Sequence, residues 1–197
     1  YPDSDGINFS LTPFDIAGNT GAAATLGPFL IDTVLPTGIT SFSSSQIADE
    51  WTNDPNFVFG WIPATDDRSG IAGYDINEDG VSDLGGWETS REIAFPEGAA
   101  NHFSIAALDN AGNIEPGQSF GSFMVDLTNP NAATNLVADA PTGVWSNNAN
   151  LTFDWSPASD ALSGLSGYDF TGDGEINLDG TATSYMMTFE EGMNHQF

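Results

Sequence analysis

The sequence predicts an all-β protein built of tandem β-sandwiches with a 94-residue repeat. Three observations carry this: a gapless internal period, no helical periodicity, and short alternating runs between turn residues. The period is plain at 15–19, Asp-Ile-Ala-Gly-Asn, which recurs at 109–113 as Asp-Asn-Ala-Gly-Asn, an offset of 94. Trp51 and Trp145, Trp61 and Trp155, Tyr74 and Tyr168, and Phe103 and Phe197 keep the same offset. Residues 51–103 and 145–197 share 23 identities in 53 positions, and 1–38 and 95–132 share 11 in 38. Gapless agreement over such lengths marks duplicated modules.

The breaks are Pro36 and Pro130. They delimit one complete repeat at 37–130, the C-terminal part of a repeat at 1–36, and the N-terminal part of another at 131–197. Residues 1–9 are equivalent to 189–197, so the two partial pieces together amount to one more repeat. The chain does not begin with Met and is expected to be a mature chain or an excised piece.

Within the complete repeat, strands are expected at 39–42, 56–61, 73–76, 90–95, 101–108 and 119–126. Phe57, Phe59 and Trp61 alternate on one face, as do Phe103, Ile105 and Ala107. That period of two belongs to a strand with one buried face. Gly (22), Pro (11), Ser, Asn and Asp separate the runs. Six or seven strands in a module of this length suit an immunoglobulin-like sandwich. Trp61 and Trp155 are expected in the core. Trp87 has Thr181 as its equivalent, so its position is not a repeated core one, and it is expected as a half-buried edge residue.

Motif order then points to a family. Trp61 is followed by Pro-Ala-Thr-Asp at 63–66 and Ser-Gly-Ile-Ala-Gly-Tyr at 69–74; the second copy has Pro-Ala-Ser-Asp at 157–160 and Ser-Gly-Leu-Ser-Gly-Tyr at 163–168. A later strand runs into Asp-x-Ala-Gly-Asn and then the linker Val-Asp-Leu-Thr-Asn-Pro at 125–130. This resembles the bacterial Ig-like or fibronectin-type-III-like modules of large extracellular surface proteins, over almost the whole chain. The resemblance implies β-sandwiches in a tandem array and names no single ligand.

The sharpest chemical signal is the loop 75–83. Asp75, Asn77, Asp79 and Asp83 stand at loop positions 1, 3, 5 and 9, with Gly80 at 6 and the Val81 carbonyl at 7. That spacing wraps oxygen ligands around a hard cation, and the expected ion is Ca²⁺. The second copy offers Asp169, Thr171, Asp173, the Glu175 carbonyl and Asn177. Position 12 is Gly86 or Gly180, so the bidentate Glu of an EF-hand is missing, and the flanks read as strands. Binding weaker than in a complete EF-hand is expected, and tighter at the first loop, which has three carboxylates against two. The alternative is an Asp/Asn/Gly turn that needs no metal.

Two readings also stand for 15–19 and 109–113. One is a hairpin turn between the last two strands, with Gly18 or Gly112 at positive φ. The other is a junction cation site, where Asp109 and Asn113 share an ion with linker Asp126 or with Asp66. Some modules of the resembled class stiffen their linkers in this way.

Charge limits the partners. There are 28 acidic residues against two basic ones, Arg68 and Arg91, for a net charge of −26. Nucleic acid is excluded, since phosphate neutralisation needs Lys and Arg. An anionic membrane surface is disfavoured for the same reason, and no apolar stretch reaches the ~18 residues of a membrane span. No enzyme is expected. His102 and His195 have no Cys or second His at zinc spacing, and no nucleophile motif accompanies them.

The function expected is structural: a calcium-binding segment of an extracellular adhesin or surface filament at the cell surface. Divalent ions would relieve the self-repulsion of so acidic a chain. Its partners would be neighbouring repeats or copies of itself, head to tail, with 1–36 of one molecule supplying strands to 131–197 of the next. The alternative is a carbohydrate-binding or spacer module of a secreted polysaccharide-degrading enzyme, with Trp87 and Tyr185 as the glycan-stacking residues.

Overall fold

The protein is described by a computed structural model over residues 4–190. It is all-β; no helix occurs among the described residues. The chain forms two compact units, Tyr1–Val125 and Asp126–Phe197. The first unit therefore runs across the break expected at Pro36.

The first unit contains β1 (Ser4–Leu11), β2 (Ala24–Ile31), β3 (Thr40–Ser44), β4 (Trp51–Thr52), β5 (Asn56–Ile62), β6 (Ile71–Asp75), β7 (Leu84–Gly85), β8 (Ser90–Ala94), β9 (Gly98–Asp109) and β10 (Gln118–Val125). All six expected strands are present, within a few residues at each end. Strands β3-β5-β8 make one sheet, β4-β10-β9-β6-β7 a second, and β1 pairs only with β2. The apolar faces of the two larger sheets meet in one core, as in a β-sandwich.

The alternation read from the sequence builds that core. In β5, Phe57, Phe59 and Trp61 point inward while Val58 and Ile62 are exposed. In β9, Phe103, Ile105 and Ala107 are buried. The Phe59 ring stacks on Phe103 with centroids 4.4 Å apart, and Phe42 stacks on Phe120 at 3.6 Å. Fully burying a ring such as Phe59 or Phe103 stabilises the fold by about 1.5–3 kcal/mol. Tyr74 packs edge-on to Trp61 at 5.6 Å and its hydroxyl accepts the Ala64 N–H at 3.0 Å, so its polar end is satisfied inside the core.

The second unit contains β11 (Thr134–Ala138), β12 (Asn150–Ser156), β13 (Gly167–Tyr168), β14 (Leu178–Asp179) and β15 (Ser184–Thr188), in the sheets β11-β12-β15 and β13-β14. Its pairing repeats that of the first unit at the offset of 94. Asn56↔Ala94 through Gly60↔Ser90 become Asn150↔Thr188 through Asp154↔Ser184. The Tyr168 hydroxyl accepts the Ala158 N–H at 3.0 Å, as Tyr74 does from Ala64.

The hairpins β1-β2 and β9-β10 match in the same way. Phe9↔Leu26 and Ile7↔Phe29 correspond to Phe103↔Phe120 and Asn101↔Phe123. Both carry a register shift at the same place, centred on Gly27 and Gly121, with φ of +133° and +135°. A Cβ at either would lie 2.6 Å from the carbonyl oxygen of Ile7 or Asn101. Only glycine fits both the backbone angle and the approach of the partner strand.

Candidate metal centre

Among the described residues, one group of three metal-ligating side chains comes together: Asp32, Asp66 and Asp109. One carboxylate oxygen from each lies within 4.8 Å of the others. Three local structures deliver them. Asp32 follows the end of β2. Asp66 lies in the β5–β6 loop, where its Oδ1 accepts the N–H of Arg68 (3.0 Å) and Gly70 (2.8 Å) and closes a tight turn. Asp109 ends β9, and its Oδ1 accepts the N–H of Ala111 (2.9 Å) and Asn113 (2.8 Å). Gly112, at φ +93°, completes that turn. The hairpin-turn reading of 109–113 therefore holds, and the carboxylate that shapes the turn is also a member of the cluster. The turn at 15–19 is built alike, with Asp15 Oδ1 accepting the Asn19 N–H at 2.8 Å.

Further bonds hold the cluster together. The Ser69 N–H donates to Asp32 Oδ2 at 3.0 Å. Asn113 Nδ2 donates to the Asp32 carbonyl at 3.2 Å and to Asp109 Oδ2 at 2.6 Å. Asp109 is buried, while Asp32 and Asp66 are half-buried. Hydrogen bonding by Ser69 holds the Asp32 carboxyl below the ordinary aspartate value of 3.8, helped by the Val34 N–H and the Arg68 charge. The cluster is thus charged at neutral pH at Asp32. Like charges this close repel by roughly 1 kcal/mol per pair even at the dielectric of water.

Three carboxylate oxygens gathered within 4.8 Å of one another could hold a metal ion. Oxygen-only ligands of high charge favour a hard divalent cation over zinc or copper.

Of the residues expected at a junction site, Asp109, Asn113 and Asp66 are brought together here. Asp126 belongs to the second unit, where its Oδ2 accepts the Ser163 N–H at 3.0 Å and its Oδ1 that of Thr128 at 3.0 Å. Asp32 is its equivalent one period earlier and makes the same two bonds with Ser69 and Val34. Asp32 is the member of the cluster that the sequence reading missed. The offset of 94 carries the linker aspartate from 126 to 32 and was the signal that could have found it. Asp160 reproduces Asp66 in the second unit, accepting the Leu162 and Gly164 N–H groups.

The loops 75–83 and 169–177 share one wiring. Asp75 Oδ1 accepts the N–H of Asn77 (3.0 Å) and Glu78 (2.7 Å), and Oδ2 that of Gly80 (2.7 Å). Asp169 does the same for Thr171, Gly172 and Gly174. These bonds, that from Gly174 first, hold the Asp169 carboxyl below its ordinary value. Asp79 Oδ1 caps the Val81 N–H and Asp173 Oδ1 the Glu175 N–H. Asp83 and Asn177 close the loops by accepting from Ile76 and Phe170. The side-chain oxygens thus turn inward on the loop's own amides. Asp75, Asp79 and Asp83 do not form a close group of the kind made by Asp32, Asp66 and Asp109.

His102 lies in β9, and His195 lies outside the described residues. Trp87 is 84% exposed, more than the half-buried edge residue expected, and lies against Gly85. No helix of the described residues is long and apolar enough to cross a membrane. A scan against protein-family models finds no match, and a search of curated proteins finds none either.

Proposed function

We propose that the chain is a structural, calcium-binding segment of an extracellular adhesin or surface filament, made of Ig-like or fibronectin-III-like modules in tandem. The observation that supports this best is the composition of the Asp32–Asp66–Asp109 cluster. Asp32 belongs to the end of one sequence repeat, while Asp66 and Asp109 belong to the next. A divalent ion there ties the last hairpin of one module to two loops of its neighbour. It replaces three-way repulsion with attraction and stiffens the linker around Pro36. The repeated loops 75–83 and 169–177 are the secondary calcium sites in this reading. An acidic surface stiffened by ions suits calcium-rich, saline surroundings outside the cell, where salt also screens the repulsion between modules. A second reading, a glycan-binding or spacer module, draws on the exposed Trp87 ring.

The test is thermal unfolding in excess calcium, in excess magnesium and in chelator. Calcium is expected to raise the melting temperature. Magnesium, which dehydrates reluctantly and demands stricter geometry, is expected to do so much less. Identical melting in all three would remove the calcium-binding reading.

A further inference from the structure

Glu115, in the connection between β9 and β10, carries the one carboxylate oxygen among the described residues that is enclosed without a hydrogen-bond partner. The residue is 8% exposed, and its Oε1 meets no donor. The side-chain amide of Gln118 stands close by: a Cβ on Gly38 would lie 2.5 Å from Gln118 Nε2 and 3.4 Å from Glu115 Oε2. That amide donates instead to the Ile39 carbonyl at 3.0 Å. A carboxylate taken out of water without a partner is costly, and buried charges in folded proteins are paired or hold a cation.

Glu115 lines a cleft of about 370 Å³ between the loop 75–83 and the turn into β10. Asp75, Glu78 and Gly80 form its wall on the loop side, and Ser104 and Ser119 lie on the strand side. Asp75 is 3% exposed, with its carboxylate fixed by the N–H groups of Glu78 and Gly80. The other two acids are peculiar to this repeat. The equivalent of Glu115 is Gly21, and that of Glu78 is Gly172. Glu78 has φ of +64°, where Gly172 has +76°. That backbone region favours glycine and strains a glutamate. A carboxylate thus replaces a glycine at two places that face one cleft.

We infer that this cleft is a further divalent-cation site of the first unit, anchored by Glu115 and completed by Asp75 and Glu78, with calcium as its ion. An ion there supplies the partner that Glu115 Oε1 lacks and offsets the mutual repulsion of the three carboxylates. The three are not gathered as Asp32, Asp66 and Asp109 are, so water completes the coordination. A water molecule takes up roughly 30 Å³, which leaves room in the cleft for an ion and part of its shell. The site differs from the ion-wrapping positions of the loop, because Asn77, Asp79 and Asp83 do not line the cleft. Its effect is internal to one module: it pins the loop 75–83 to the connection before β10. It does not depend on an ion at Asp32, Asp66 and Asp109.

Calorimetric titration of the 197-residue chain with calcium counts the ions. It is run at about 0.15 M salt, which screens loose binding to the acidic surface. Glu115→Gln is expected to bind one ion fewer than the parent, both alone and combined with Asp32→Asn. Glu78→Gly is expected to weaken the same ion several-fold. Its position is exposed and is already glycine in the other copy, so the fold is not at risk. A parent chain that binds no calcium overturns the inference. Loss of an ion with Asp32→Asn but not with Glu115→Gln overturns this site and leaves the junction site standing. Loss with Glu115→Gln but not with Asp32→Asn supports this site and removes the junction one. Tryptophan fluorescence in chelator checks that the variants are folded. Should Glu115→Gln fail that check, Glu78→Gly decides, and binding that it leaves unchanged overturns the inference.

Discussion

Phe59→Ala is expected to destabilise the first unit by about 3–5 kcal/mol, the cost of removing a fully enclosed aromatic ring and leaving a cavity. Phe59 is completely buried and its ring lies within 6 Å of those of Phe42, Phe95, Phe103 and Phe123. Few side chains of this size can move in to fill the space, since the neighbours come from both sheets of the core. Phe153→Ala makes the control. It stands at the equivalent position in β12 but is only partly buried, so its removal is expected to cost clearly less. Urea or guanidinium unfolding of the two variants measures both. Equal losses would mean that the two positions are packed alike, against the burial contrast described above.

Asp32→Asn is expected to abolish most of the calcium-induced stabilisation of the first unit while leaving the calcium-free protein folded. The substitution keeps the side-chain shape and one acceptor oxygen for the Val34 or Ser69 N–H. It removes one of three negative charges from the cluster, and charge count sets calcium affinity at such sites. At free calcium ~100 times the dissociation constant, a native-only site stabilises by about 2.7 kcal/mol, and that is the quantity at stake. Without calcium the variant loses one of the two N–H bonds that the carboxylate accepts, so its stability is expected to fall modestly below that of the parent. The comparison is chemical unfolding of both proteins with calcium and with chelator. A variant that keeps the full calcium increment would remove Asp32 from the site.

The strands were legible in the sequence because each rests on local chemistry. Phe57, Phe59 and Trp61 announce a buried face by their spacing, and all six strands expected in the complete repeat are found. Turns were legible for the same reason, since Asp15 and Asp109 bond to amides within four residues. The loops 75–83 and 169–177 keep their repeat frame down to single hydrogen bonds. Spacing alone did not show that their side-chain oxygens face the loop's own N–H groups. The cluster was only half legible. Asp109, Asn113 and Asp66 were nominated, yet proximity among residues separated by more than thirty positions depends on the path of the chain past Pro36. The linker aspartate was sought at 126, inside the second unit, and the one that meets the loops is its copy at 32. The short pairings of β4 and β7 were not foreseen either, because two residues leave no periodic signal.

The most direct measurement is anomalous diffraction from crystals grown in saturating calcium. A peak is predicted among Asp32, Asp66 and Asp109, with carboxylate oxygens of all three at about 2.3–2.6 Å from it. A cluster holding only water in such crystals would contradict calcium as the tie between the modules.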